Sequence, residues 1–451
     1  MGTDSRSRVI AMKLPATVRA LQYRNYRLFF GGQLISLIGT WMQNVAQAWL
    51  VYRLTGSSVL LGMVGFFSQI PVFLLATLGG AVADRHSRHR LVIATQTASM
   101  ILAFILAALT LTGAIRVWHI FVLAGLLGVV NAFDIPARQA FAVEMVGKAD
   151  LMNAIALNSS MFHASRVVGP AIAGLLVAAI GEGWCFFANA VSYIAVIAGL
   201  LMMTLEPRKH SRRADSPLAH IVGGFRFVLG NEPVLFLIVL VAVSSFTSMP
   251  YTVLMPIFAD RILHGGAEAL GALMGASGVG AVAGALILAS RESLKGLGLW
   301  VAVSATSFGA SMVAFSFSRN YLLSLALLVP VGFSMMIQMG ATNTLIQSMA
   351  PDELRGRAIG VYSMMFGGMA PFGSLLAGFV AARFGAPLTV AANGIVCMTA
   401  AGLFWTRLDE IRAGARKLLA EQRIAVGIPP VAAASEAAAL EQTLESPRST
   451  L

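Results

Sequence analysis

Apolar residues run through this chain in about twelve long blocks, each near the ~20 residues a helix needs to cross a bilayer core, with polar residues confined to the short stretches between them. The blocks predict helices at 27–53, 59–83, 91–112, 117–137, 152–180 and 184–204, and again at 233–260, 268–290, 296–317, 320–349, 356–384 and 387–406. One polar interval, 205–232, is longer than the rest and holds Arg208, Lys209, Arg212 and Arg213. Within it Leu218, Ile221, Phe225 and Leu229 recur at helical spacing beside Arg226, the pattern of an amphipathic helix lying along a membrane surface. The chain therefore divides into an N-terminal segment (1–26), a six-helix bundle (27–204), the linker (205–232), a second six-helix bundle (233–406) and a tail (407–451) expected to form a short helix and then disorder. The fold class predicted is an all-α membrane protein, twelve transmembrane helices in two six-helix pseudo-repeats.

Charge gives these blocks a direction. Of 32 Lys and Arg, 26 fall before the first block, after every second one, or in the tail; Arg53, Arg116, Arg261, Arg319 and Arg383 occupy the opposite loops, and Arg166 alone lies inside a block. By the positive-inside rule both termini and the linker face the cytoplasm of a multi-pass inner-membrane protein. The net charge of +12 thus describes loop placement and implies no nucleic-acid partner. A hydrophobic fraction of 57% and a mean hydropathy of +0.78 exclude a soluble domain. The first block is longer than a signal-peptide core and has no cleavage site, so it is expected to stay as an anchor.

Enzyme chemistry finds little support. Cys185 and Cys397 sit inside apolar blocks, which suggests neither a disulfide nor a metal cluster. Gly278, Gly280 and Ala283 mimic a dinucleotide fingerprint, but within an apolar helix rather than after a strand. With no phosphate-binding GKS or GKT and no HExxH, no catalytic residue, cofactor or metal is predicted. Two six-helix halves joined by a basic loop are instead the layout of a secondary transporter built from repeats. The halves echo each other: Gly174 and Gly181 in the fifth span have the spacing of Gly378 and Gly385 in the eleventh.

The loop after the second span, GAVADRHSRHR, contains Gly80, Asp84, Arg85, Arg88 and Arg90. Gly80 would let a helix approach closely, and Asp84 at a helix end can hold an Arg or the positive N-terminus of another helix, so the loop reads as a gate. Ordinary basic-loop charge is the alternative. The loop resembles the GxxxDRxxRR signature of the major facilitator superfamily, with His89 and Arg90 departing at its basic end. TWMQNVAQAWLVYRLTGSS, NAFDIPARQAFAVEMV, LMNAIALNSSMFHASRVVGPAIAG and PDELRGRAIGVYS resemble the branch that includes enterobactin exporters and transmembrane secretion effectors. That resemblance implies a twelve-helix exporter working by alternating access and energised by protons; it is expected in the lipid bilayer as a monomer. Its cargo would be an amphipathic small molecule: a siderophore, a macrolide or another drug. A lysophospholipid flippase of the same fold, and a sensor or scaffold that moves nothing, are the alternatives.

In the fifth span Arg166, Gly169, Pro170 and Gly174 resemble the antiporter motif of the superfamily, with Ala173 where a second Gly is usual; a packing kink explains the Gly and Pro equally well. Arg166 lies roughly 20 Å into the core, where a charge faces a cavity or a partner. No Asp or Glu is expected at that depth. Gln43, Asn44 and Gln47 of the first span are, so Arg166 is read either as a cation held by neutral amides and open to an anionic substrate group, or as a structural tie. His163, one turn earlier, is a candidate proton carrier or a hydrogen-bonded core residue. Asp134, near the end of the fourth span, is its rival or simply the partner of Arg138. Ser244, Ser248 and Tyr251 of the seventh span, with Gln338 and Asn343 of the tenth, are expected to line a polar path, or to pack between helices.

Overall fold

A computed structural model describes residues 16–147, 149–204, 217–291 and 296–425. Its helices follow the blocks: α1 (Arg24–Thr55), α2 (Ser58–Arg85), α3 (Arg88–Leu111), α4 (Val117–Val146), α5 (Leu151–Ile180) and α6 (Glu182–Leu201) form the first half. After the linker helix α7 (Pro217–Leu229) come α8 (Glu232–Ile257), α9 (Gly266–Ala289), α10 (Leu297–Phe317), α11 (Tyr321–Met349), α12 (Asp352–Phe384), α13 (Ala386–Thr406) and α14 (Leu408–Ala425). By length and composition eleven of these, α2–α6 and α8–α13, can cross a membrane. α1, at 32 residues, packs beside them against α5 and α6; Gln33, Gln43, Asn44 and Gln47 make it more polar. Leu74, Leu175, Leu201, Leu286, Leu322 and Leu403 are all more than half exposed, a distribution that only an apolar solvent satisfies.

One expected helix end changes. The fourth span does not stop at 137: Pro136 is accommodated inside α4, which runs nine residues further to Val146. The linker helix buries Gly224, Phe227 and Val228, while of the apolar stripe Ile221 and Phe225 are half-buried and Leu229 is 67% exposed. Packing decides this, because α7 lies on α8 and α12, and Gly224 faces the Arg357 carbonyl. The tail helix begins at Leu408, with Leu408 and Ile411 buried against the second half and Gly414 against Pro233 of α8. Residues 205–216, with the four linker cations, the Leu218 side chain and 426–451 lie outside the described residues.

The halves meet along two seams related by the internal repeat, α2 on α12 and α5 on α9. A Cβ on Gly378 would lie 3.1 Å from Gly62 Cα, and one on Gly174 3.1 Å from Gly271 Cα, so both seams are backbone against backbone. Seven residues on, Gly181 and Gly385 both take φ 86° to end α5 and α12, giving the sequence echo one structural meaning. The seams run from the end bearing the α1–α2 turn to Phe73 on Gly368 and Val167 on Gly278. Beyond that, toward the basic end, Gly80 of α2 and Gly356, Gly360 and Gly367 of α12 have no atom within 4 Å of a built Cβ. Among the described residues, the halves stand apart at the basic end and meet at the other.

Residues 16–23 strap the basic end of α5 to α1. Asp150, buried at the N-terminus of α5, accepts from Arg19, from Gln22 at 3.0 Å and from the Tyr23 hydroxyl at 2.8 Å, while Asn153 bonds both Ala20 N and Thr17 O. The Tyr23 hydroxyl first, then Arg19 and Gln22, hold the Asp150 carboxyl below the usual carboxylate range, and the same bond raises Tyr23. A lowered carboxyl contributes stability above its unfolded value, so the strap holds at neutral pH and loosens only on acidification below that range.

Candidate functional site

Arg166 reaches from α5 across to the other half. Its Nη2 lies 4.0 Å from Met335 Sδ on α11, and its guanidinium stands 5.7 Å from the centre of the Trp41 ring on α1. It is half-buried and forms no ion pair among the described residues. Met335 also lines a narrow cleft in the second half with Ser244, Ser245, Ser248 and Gln338. There Gln338 Nε2 donates to Ser244 Oγ at 2.6 Å, and Ser245 donates to the Phe366 carbonyl. Met335 is therefore shared: it meets the cation of one half and lines the polar cleft of the other.

The amides of α1 do not hold Arg166. Gln43 is 6% exposed and its Oε1 accepts from Asn189 Nδ2 of α6 at 2.7 Å; two residues from Trp41 on a helix, it points to the opposite side. Asn44 is exposed and Gln47 half-buried. Trp41 and Met335, which do touch the guanidinium, carry no polar signal that sequence reasoning could weigh. Gly169 seats Trp41, since a Cβ there would lie 2.9 Å from Ile38 O, and Pro170 O faces Gly271 in the seam. Tyr251 is buried with its hydroxyl 2.9 Å from Ser277 Oγ of α9, away from the cleft. Asn343 keeps a buried, unpaired Oδ1.

The two titratable candidates differ sharply. His163 has a buried Nδ1 without a hydrogen-bond partner. Asp134 is not near the end of α4: twelve residues remain to Val146. It is 3% exposed, accepting from Thr95 at 2.7 Å and Gln96 at 2.9 Å on α3 while its other oxygen pairs with Arg138 at 3.2 Å.

At the basic loop, Arg88 is the organiser. It bonds Asp84 at 3.1 Å and, across to α4, the Ala140 carbonyl and Glu144 at 3.2 Å each. Asp84 is otherwise open to solvent, and Arg85 and Arg90 are exposed. The close helix approach belongs to Gly79, which faces the Ala132 carbonyl of α4, rather than to Gly80; adjacent helical positions point ~100° apart, so only one can meet α4. No group of three or more potential metal ligands occurs among the described residues.

Twelve helices in two repeats around a cleft open at one end define a transporter of the major facilitator type. Solved structures share the fold: a bacterial homologue of the human lysosomal transporter Spinster (TM-score 0.68, 14% identity, 89% of this chain and 98% of that one) and a D-xylose-proton symporter (0.64, 13%, 86% and 96%). A family model described as transmembrane secretion effector matches residues 16–430, and the chain belongs to that family. Similar proteins are the staphyloferrin A transporter of Staphylococcus aureus (28% identical, 84% of this chain, 96% of that protein), the multidrug efflux pump Tap of Mycolicibacterium fortuitum (27%, 81%, 92%) and the enterobactin exporter EntS of Shigella boydii (24%, 86%, 92%). The protein is a multi-pass inner-membrane secondary transporter that exports small molecules, not an enzyme.

Proposed function

We propose that the protein exports an anionic, amphipathic small molecule, of the siderophore or acidic-drug class, in exchange for protons. The observation that carries this reading is Arg166, a cation without an acidic partner among the described residues, in contact with Trp41 and with Met335, which also lines the cleft of the Ser244–Gln338 pair. A guanidinium in a partly desolvated cleft favours a carboxylate or phenolate oxygen, and Met335, Met339 and Phe366 supply an adaptable apolar wall. The relatives named as siderophore transporters support the cargo class. With the basic end in the cytoplasm and the protein acting as a monomer, the cleft would load cargo from inside.

Exchange requires that proton and cargo bind in turn. A proton on His163, three residues from Arg166, and an anion at Arg166 would stabilise each other, which suits cotransport. We therefore assign the exchanged proton to Asp134. Its protonation would break the ion pair with Arg138 and weaken the bonds from Thr95 and Gln96, just ahead of the Ala140–Glu144 stretch of α4 that Arg88 clamps, linking the proton to the basic-end gate. In everted vesicles energised acid-inside, the parent should accumulate an anionic siderophore, and Asp134→Asn should lose accumulation more than tenfold yet retain substrate exchange without a gradient. Full accumulation by Asp134→Asn, with loss in His163→Gln, would reverse the assignment.

A further inference from the structure

Hydrogen bonds tie α1 to α6 at three depths. At the basic end Asn25 donates to the Thr204 carbonyl at 2.8 Å and Arg24 to the Met202 carbonyl at 3.0 Å, both just past the end of α6. At the opposite end Arg53 donates to the two carboxylate oxygens of Glu182, at 2.7 and 3.2 Å, and Glu182 is buried. Midway, Asn189 Nδ2 of α6 donates to Gln43 Oε1 of α1 at 2.7 Å, both residues being buried. Ser192 Oγ braces Asn189, donating to its carbonyl at 2.7 Å and lying 3.2 Å from its Oδ1. Gly39 makes the room, since a Cβ there would lie 2.5 Å from Asn189 Oδ1 and 2.6 Å from Ser192 Oγ. On the other face of the same turn stands Trp41, whose ring meets two α5 side chains one turn apart: Phe162 edge-on at 5.6 Å and the Arg166 guanidinium at 5.7 Å. One turn of α1 is thus bonded to α6 on one side and meets Arg166 on the other.

We propose that the Asn189–Gln43 bond fixes the rotation of α1 about its own axis, and through it the place of the Trp41 ring against Arg166, so that Gln43 and Asn189 are positioning residues of the anion site. The bonds at the two ends hold the tilt of α1, and the one at mid-length holds its rotation at the level of Trp41. A turn of about 20° would carry a side chain ~6 Å from the helix axis by about 2 Å. That is enough to take the ring off the guanidinium, because a binding group has to be held within ~0.5 Å of its working geometry. Close packing does not set the angle by itself: Gly32 on the Val196 backbone and Gly39 on Asn189 bring the two helices together, but van der Waals contact tolerates small rotations. A buried amide pair does not, since turning either helix would leave two polar groups unpaired in the interior. Gln43 therefore serves Arg166 from the far side of α1 without touching it. The inference rests on the reading of Arg166 as the anion site and names what keeps that site selective for anionic cargo.

The test uses full-length protein in detergent with its six tryptophans replaced by 5-fluorotryptophan, the Trp41 fluorine resonance being the one lost in Trp41→Phe. Gln43→Asn, which shortens one arm of the bond, and Asn189→Leu, which removes the donor, should each move that resonance, as should Arg166→Gln. Both should also weaken binding of 2-naphthoate about tenfold while leaving its neutral amide, 2-naphthamide, within about twofold, the effect of a binding group displaced by an ångström or so. The exchanged pair, Gln43→Asn with Asn189→Gln, keeps the summed length of the two side chains and should restore the resonance and the selectivity. An unmoved Trp41 resonance in Gln43→Asn and Asn189→Leu would overturn the positioning role, as would an exchanged pair that fails to restore it, or an equal loss of naphthoate and naphthamide. If the resonance moves and is restored as expected while Arg166→Gln leaves naphthoate binding unchanged, the positioning role stands and the anion-site reading fails.

Discussion

Arg166→Gln should lower transport of anionic substrates by roughly 10- to 100-fold while leaving neutral ones within a few-fold, the worth of a charged hydrogen bond in a desolvated site. Stability should change little. Removing one member of a buried ion pair strands its partner and is costly, but Arg166 has no acidic partner to strand among the described residues, and its contacts are a ring face and a thioether. Glutamine keeps a polar tip on a shorter stem and loses the guanidinium with its contacts to Trp41 and Met335, neither of which is a buried polar group left unpaired. Competition of anionic and neutral compounds for binding to purified protein, with a melting curve for each variant, separates the outcomes. A drop in melting temperature with substrate affinity unchanged would make Arg166 a structural tie.

Gly378→Val should abolish transport, more than a hundredfold, in a protein that still folds. Even a Cβ would lie 2.7 Å from Ser58 O and 3.1 Å from Gly62 Cα, against ordinary contacts near 3.5–4 Å. Valine adds two further carbons, and overpacking of this kind costs about 1–3 kcal/mol where it cannot relax. Here it can relax, because the halves separate along the seam, and the variant should be trapped open at the end that is now closed. Gly174→Val on α5 should do the same through Ala267 and Gly271, since the repeat makes its seam equivalent. The check is transport in vesicles beside the rate at which a hydrophilic maleimide labels Ser374→Cys, a position 3% exposed inside the α2–α12 seam, which should rise in both variants; normal transport by well-expressed Gly378→Val would show that the seam tolerates separation.

Much of this architecture was legible because membranes make periodic demands. A bilayer sets the length of each block, the positive-inside rule sets direction, and both act on residue types rather than contacts, so helices and halves could be read from Arg, Lys and apolar runs alone. The Gly174–Gly181 and Gly378–Gly385 echo was visible for the same reason: close backbone approach and a left-handed helix end each demand Gly. What remained hidden depended on rotation about a helix axis. Gln43 and Trp41 are two residues apart, and only the packed structure turns one to Asn189 and the other to Arg166. The same holds for Gly79 and Gly80. Asp134 was misplaced in depth because Pro136 and Arg138 read as a helix end, whereas α4 absorbs the proline and continues to Glu144, where Arg88 meets it. That Asn189, 146 residues away, would be the partner of Gln43 had no sequence signal at all.

The central claim, an exporter whose cleft opens to the cytoplasm at its basic end, is tested most directly by two single cysteines and an impermeant maleimide. Gly360→Cys sits in α12 facing the opening, with no atom within 4 Å of its Cβ; Arg383→Cys is exposed at the opposite end of the same helix. In intact cells Arg383→Cys should label and Gly360→Cys should not; in everted vesicles the pattern should invert. Labelling of Gly360→Cys from outside intact cells, with Arg383→Cys protected, would contradict the account.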